Sequence, residues 1–292
     1  MRNKWDMPEI AGSVATITRY PVKSMQGEDL PDVELLTKGV DGDRAYALVD
    51  DQTGKVVSVK RPRRWGRIFE LSASTEDDGV FVTLPDGRCR HIEDPDLPTD
   101  LSDLFGRAVS VASQPPTDAT FDEEWVRHLK DGAQPYFDQE SRTEDGAELV
   151  DAGAFMSAQG SFFNFGAVHI ITTSTMRTLS ALAPGSRFEP ERFRANIVVD
   201  TAGDGFPETG WQGRELSIGG LRLAVSFTVP RCVMTTLPQG DLPSDADVLR
   251  TITRHNAVDC FGTGTAYPCA GVYAYVIAGG QLTLGQEVAL HP

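Results

Sequence analysis

Leu216-Ser217-Ile218-Gly219-Gly220-Leu221-Arg222-Leu223-Ala224-Val225, running on through Ser226-Phe227-Thr228 to Val229-Pro230-Arg231-Cys232-Val233-Met234-Thr235-Thr236, decides the fold class. Two short apolar runs flank a Gly-Gly pair, the pattern of a β-hairpin. Proline cannot donate to a strand ladder, so the second strand should stop at Pro230 and leave Cys232 just past a turn. The same grammar extends outward. Downstream, 271–277, 282–284 and 288–290 read as short strands around Gly279-Gly280. Upstream, 168–172 reads as a strand entering a helix over about 174–182, capped by Thr173 or Ser174 and stopped at Pro184-Gly185. A strand is expected at 196–200, and a helix at 244–254 with Ser244 as its cap. The N-terminal third predicts strands at 14–19, 45–49, 56–59, 68–74, 80–84, 88–92 and 108–112. It also predicts a hairpin turn at 50–54 and a short helix over 101–105 ending at Gly106. Strands outnumber helices and no regular βαβ alternation appears. The expectation is a mainly β, barrel-like fold with a few helices (α+β).

The boundary falls near Ser113-Gln114-Pro115-Pro116. It suggests a smaller N-terminal unit over 10–115 and a second unit over 116–292, with 119–165 partly loop and a family-specific loop over 139–151.

Composition narrows the function. The chain has 292 residues, with 27 Lys plus Arg against 42 Asp plus Glu, a formal charge of −15. Bulk affinity for nucleic acid is excluded, because duplex binding draws on neutralised phosphates. With 40% hydrophobic and 24% charged residues the chain is of globular type. No apolar run approaches the ~20 residues of a spanning helix, and residues 1–12 lack the apolar segment of a signal peptide, so no membrane role is expected. Cys89, Cys232, Cys260 and Cys269 are widely spread, without a CxxC, which argues against structural zinc or a cysteine-ligated cluster. A reducing, cytoplasmic setting fits that usage.

Cys232 has two readings. Adjacent Arg231 favours thiolate, a ligand for a soft or highly charged metal centre; alternatively Cys232 is a small buried apolar residue. Tyr20-Pro21-Val22-Lys23-Ser24 follows the first strand and Gly39-Val40-Asp41-Gly42-Asp43-Arg44 precedes another. Together they offer an ammonium, a guanidinium and a hydroxyl, a set suited to a phosphate, or else to ordinary surface ion pairs. Arg194-Ala195-Asn196 opens a strand. Thr172-Thr173-Ser174-Thr175 sits at a strand–helix junction, where hydroxyls and free N–H groups serve an anion or simply cap the helix. His91, His128, His169, His255 and His291 lack ligand spacing, and His169 reads as a satisfied core residue. Trp65, Trp125, Phe162, Phe163 and Phe165 read as core or pocket wall.

The order YPVKS, GDR before an apolar strand, a hydroxyl-rich strand–helix turn, RxN before a strand, PRCVMTT and then GVY is similar to the MOSC family, named for the C-terminal domain of molybdenum-cofactor sulfurase. Within it the chain resembles the amidoxime-reducing component and its bacterial relatives, over about 14–290. The resemblance implies a MOSC β-barrel preceded by a smaller MOSC N-terminal β-barrel-like domain. It implies a molybdenum cofactor (Mo-molybdopterin) with the metal on Cys232, which is then the catalytic residue as well as the metal ligand. Cofactor contacts are implied for Lys23, Ser24, Arg44, Thr172, Thr173, Arg194, Asn196, Arg231 and Tyr273. Three positions depart from the pattern: Pro238 stands where an acid often follows the TT, Met25-Gln26 follows KS, and Gln286 replaces an acid. No general acid is therefore assigned. The implied activity is reduction of N-hydroxylated small molecules (hydroxylamines, amidoximes, N-hydroxy bases). The alternative is a cofactor carrier or sulfur-transfer module without turnover. No GxGxxG stands between a strand and a helix, so electrons are expected from a separate donor protein carrying an iron–sulfur, flavin or haem group.

Overall fold

The structure, a computed structural model, describes residues 8–116, 119–124, 141–152 and 162–292. Seven strands close into a barrel in the order Val168–Thr172, Ile197–Asp200, Glu9–Arg19, Glu287–His291, Glu215–Ile218, Leu221–Pro230 and Tyr267–Ala278, the last pairing back onto the first. Alternation builds it. Along 221–225 the side chains of Leu221, Leu223 and Val225 are buried, and Arg222 is exposed. The interior joins Val14, Ile17, Ile170, Ile197, Leu216, Leu223, Val272 and Val288, each contributing ~1.5–3 kcal/mol by leaving water. The strand expected to stop at Pro230 does so. Glu9–Arg19 is N-terminal in sequence but is a stave of this barrel.

Val168–Thr172 and Ile197–Asp200 run parallel, which requires a crossover supplied by the helix Thr173–Leu182. Its cap is Thr172, whose hydroxyl accepts from the Thr175 N–H at 3.2 Å, rather than Thr173 or Ser174. Asp245, not Ser244, caps the helix Ala246–His255.

The N-terminal region wraps short sheets around a second core. Ser72–Glu76, Gly79–Thr83 and Cys89–His91 form one sheet, and Ala47–Asp50 pairs with Val109–Ala112. Between them pack Val22, Leu48, Trp65, Ile68, Phe69, Leu97 and Leu101. Two expectations fail here. Residues 68–70 belong to a 3-10 helix, Gly66–Glu70, because Pro62 starts a helical turn that runs on through Trp65; the strand begins at Ser72. Over 56–59 only Val56 makes a bridge, to Val49. The expected helix over 101–105 is longer, Leu97–Phe105, and Gly106 ends it in a left-handed conformation. Of the loop expected over 139–151, Ser141–Glu144 and Ala147–Asp151 form a hairpin joined to Asp122–Glu124. Trp125 and His128 lie outside the described residues.

This hairpin sheet is docked by charge. Asp122 accepts from Lys55 (2.7 Å), Arg61 (2.9 Å) and Arg142 (2.6 Å), while Lys60 donates to Glu123 at 2.8 Å. No described helix is long and apolar enough to cross a membrane.

Candidate functional site

One cleft collects residues from both regions: Lys23 and Ser24, Arg44, Ser58 to Lys60, Phe162 to Gly166, His169, Phe193, Arg194, Asn196, Val229 to Cys232, Met234 and Tyr273. Local chain geometry aims them inward. Among the described residues only four non-glycines have positive φ, and three line this cleft: Ser24 (68°), Arg44 (48°) and Arg194 (53°). The left-handed conformation costs ~1–2 kcal/mol per residue, so the surrounding structure holds these three against a local preference. Gly166 is required for a different reason: a Cβ there would lie 2.7 Å from the Tyr273 ring.

Hydrogen bonds fix the set. Lys23 Nζ donates to the Phe162 carbonyl at 2.8 Å and to Asn164 Oδ1. Arg44 pairs with buried Asp43, which also accepts from the Tyr20 N–H at 2.8 Å. Arg44 donates onward to Asn196 Oδ1 (3.3 Å) and the Arg194 carbonyl (3.4 Å). Arg194 Nη1 donates to the Met25 carbonyl, and its guanidinium stacks 4.1 Å from the Tyr20 ring centroid. Its Nη2 is buried and has no hydrogen-bond partner. Arg231 Nη2 donates to the Phe193 carbonyl at 2.8 Å. Cys232 follows in extended backbone at the start of the 3-10 turn Val233–Thr236.

Among the described residues the lining holds five cations, Lys23, Arg44, Lys60, Arg194 and Arg231, and no carboxylate. Lys23, Lys60, Arg194 and Arg231 are each at least nine-tenths buried. Behind them stand two carboxylates, Asp43 and Glu123. Burial first, and neighbouring cations second, lower two of these groups, while Lys60 beside Glu123 is raised. Burial, and then Lys60, Arg44 and Arg194, push the Lys23 ammonium well below its ordinary value. Burial and neighbouring Arg44 lower Arg194 to about 10. Burial, followed by the charge of Arg231, pushes His169 down, so the imidazole is neutral.

Two sequence readings change. His169 is buried as expected, but it lines the cleft, and its Nε2 has no hydrogen-bond partner. The Cys232 thiol is pushed up by burial; the strongest opposing charge is Lys60, and Arg231 ranks lower. Adjacency of Arg231 alone therefore does not make a thiolate.

Eight of the ten residues expected at a cofactor line this cleft. Thr172 and Thr173 do not. The Thr172 hydroxyl donates to Glu208 at 2.7 Å, and that of Thr173 to Asp200 at 2.8 Å. Phe162, Phe163 and Phe165 are cleft wall, whereas Trp65 is core. Sequence reading missed Lys60 and Asn164. Lys60 sits in Val59-Lys60-Arg61-Pro62, a basic pair after an apolar run, and only the fold brings it to Cys232. Among the described residues no cluster of three or more His, Cys, Asp or Glu could hold a metal by itself.

A search among curated protein sequences gives no match. Among solved structures the chain aligns with the YuaD protein from Bacillus subtilis at 12% identity and a TM-score of 0.45, covering 98% of each chain. It aligns with YiiM from Geobacillus stearothermophilus at 18% identity and a TM-score of 0.30, covering 53% of this chain and 71% of that one. Neither likeness is close enough to carry a functional argument. Family models match the MOSC N-terminal beta barrel domain over residues 11–111 and the MOSC domain over residues 158–289. MOSC domains are associated with binding of the molybdenum cofactor. The chain belongs to the MOSC family, with a MOSC N-terminal β-barrel domain ahead of the MOSC domain.

Proposed function

We propose that this protein is a molybdenum-cofactor-dependent oxidoreductase that reduces N-hydroxylated small molecules with electrons from a separate donor protein. The observation that carries the reading is a thiol, Cys232, on the wall of a cleft whose described lining residues include five cations and no carboxylate, in a chain of net charge −15. Buried cations in mutual repulsion are stabilised by an anion, and the buried Nη2 of Arg194 is a donor awaiting an acceptor. A phosphate-bearing heterocycle with a soft-ligand metal meets both needs.

When bound, the cofactor supplies two-electron oxygen-atom chemistry at molybdenum. The chain's own residues supply the rest. Cys232 would hold the metal as thiolate, and the charge of Lys60 favours loss of its proton. Lys23, Ser24, Arg44, Arg194 and Arg231 present charged and hydroxyl donors, which would hold phosphate and ring acceptors with charge-assisted strength. Asn196 is fixed by donating to the Thr18 carbonyl at 3.2 Å and accepting from Arg44 and the His169 N–H, so its orientation is set before any ligand arrives. Phe162, Phe163, Phe165 and Tyr273 form an apolar side that excludes water from a flat substrate. Reducing an N-hydroxyl to N–H consumes two electrons and two protons and releases water.

The test mixes metal-loaded protein with an N-hydroxylated substrate and either NADH or NADPH, then repeats with an artificial low-potential reductant. Turnover only with the artificial reductant is expected. Turnover with the nicotinamides alone would contradict the need for a donor protein. No turnover with either, together with rapid transfer of the cofactor to an acceptor apo-protein, would make the chain a carrier.

A further inference from the structure

A pair of buried cysteines lies beside the strand that leads to Cys232, where Cys269 pairs with Pro230. Cys260 and Cys269 share one buried cluster with Tyr267, Val258 and Phe261, and they are 4% and 0% exposed. Ala257–Val258 pairs antiparallel with Pro268 and Tyr267, and the Cys260 N–H then turns back to the Val258 carbonyl at 2.9 Å. That turn sets the Cys260 N–H and the Cys269 thiol on the same Val258 carbonyl, at 2.9 and 3.9 Å. The connecting segment is a short turn capped by Asp259. Thr263 and Gly264 are exposed, Gly262 and Gly264 take positive φ, and the Asp259 carboxylate accepts from the N–H groups of Thr263 (3.0 Å) and Gly264 (2.7 Å).

We infer that Cys260 and Cys269 form a reversible disulfide by exchange with a small-molecule disulfide, stapling the 260–269 loop. One protein thiolate attacks the small disulfide, giving a mixed disulfide and releasing one small thiol. The second protein sulfur displaces the other small thiol, so the protein pair is oxidised, the reagent is reduced, and both protons leave with the released thiols. The staple bears on the cleft. Cys260 precedes Phe261, whose ring packs 6.1 Å from Phe165, a cleft-wall residue, and 5.7 Å from Phe227. Cys269 follows Pro268, whose carbonyl accepts from the Arg231 N–H at 2.7 Å. The inference does not depend on the proposed reductase activity.

The experiment equilibrates the purified full chain with graded ratios of oxidised to reduced glutathione. Acid quenching, denaturation, alkylation and peptide mass mapping follow, with a thermal melt of each sample. A Cys260–Cys269 cross-linked peptide should accumulate with oxidant and vanish with reductant. The linked form should melt higher, and Cys260→Ser should lose both effects. Alkylation of both residues at every ratio, while exposed Cys89 acquires glutathione, would overturn the inference. A linked form melting no higher than the dithiol form would overturn the staple.

Discussion

Two buried polar clusters share the strand Val168–Thr172, His169 lining one and Thr172 bonding the other, and they are built on opposite plans. Around Glu208, 1% exposed, the account closes: its carboxylate accepts from Thr172 (2.7 Å), from Thr175 (2.7 and 2.8 Å) and from the Gly271 N–H (3.3 Å). Burial raises its pKa and these donors oppose the rise. Gly271 has to be glycine, since its φ is +83° and a Cβ would lie 2.3 Å from His169 Nε2. Around Cys232 the account stays open. Five cations meet two carboxylates, Arg194 keeps an unpartnered nitrogen, and three residues hold strained backbone. The satisfied cluster needs nothing further, whereas the unsatisfied one is what the proposed cofactor would complete.

The sharpest break is at Cys232. Cys232→Ala should abolish molybdenum retention and activity while the melt survives, because the side chain makes no core cluster of its own. Metal analysis and calorimetry on the same sample check this; wild-type metal content in the variant would sink the ligand assignment.

Next comes Glu208→Ala, which strands the Thr172 and Thr175 hydroxyls and the Gly271 N–H. We expect a loss of ~2–4 kcal/mol in denaturant unfolding, with molybdenum per folded protein unchanged. Neutralising Lys23, Arg44 or Arg194 should do the reverse. Each removes a charge-assisted contact of ~1.5–3 kcal/mol, about tenfold or more in cofactor affinity. The cofactor-free melt should move by no more than ~4 °C for Lys23 or Arg194, and by more for Arg44, whose loss strands buried Asp43. Equal losses in loaded and cofactor-free protein would make these residues structural ion pairs.

The open cluster also has a pH signature. Lys23 binds its proton less readily when folded, so between its depressed value and the ordinary 10.5 the unfolded chain holds more protons. Stability of cofactor-free protein therefore rises with pH through that window, up to the unfolded value. Lys23→Met should flatten that rise in a pH series of urea melts; an unchanged slope would place the titration elsewhere. The smallest effect belongs to Thr173, exposed at its bond to Asp200. Thr173→Val should cost less than ~1 kcal/mol and leave metal content as in wild type.

Much of this was legible in the sequence. Gly219-Gly220 and the Pro230 stop fixed a hairpin and the Cys232 turn because both act through local backbone chemistry. YPVKS, GDR, RAN and PRC sit at strand ends, which the barrel gathers at one mouth. Other features depend on partners distant in sequence. The Thr172–Thr175 run has the same hydroxyls whether it faces a phosphate or a carboxylate, and the choice was made by Glu208, hidden in a Gly- and Pro-rich loop. Lys60 reaches Cys232 only through tertiary packing. The 141–151 hairpin was invisible because Ser141–Glu144 is exposed throughout and is held by ion pairs rather than apolar alternation.

X-ray absorption at the molybdenum edge tests the central claim most directly, comparing wild type with Cys232→Ser loaded in the presence of excess cofactor. Ligation by Cys232 predicts one more sulfur neighbour at molybdenum in the wild type than in the variant. An identical sulfur count in the two would contradict it.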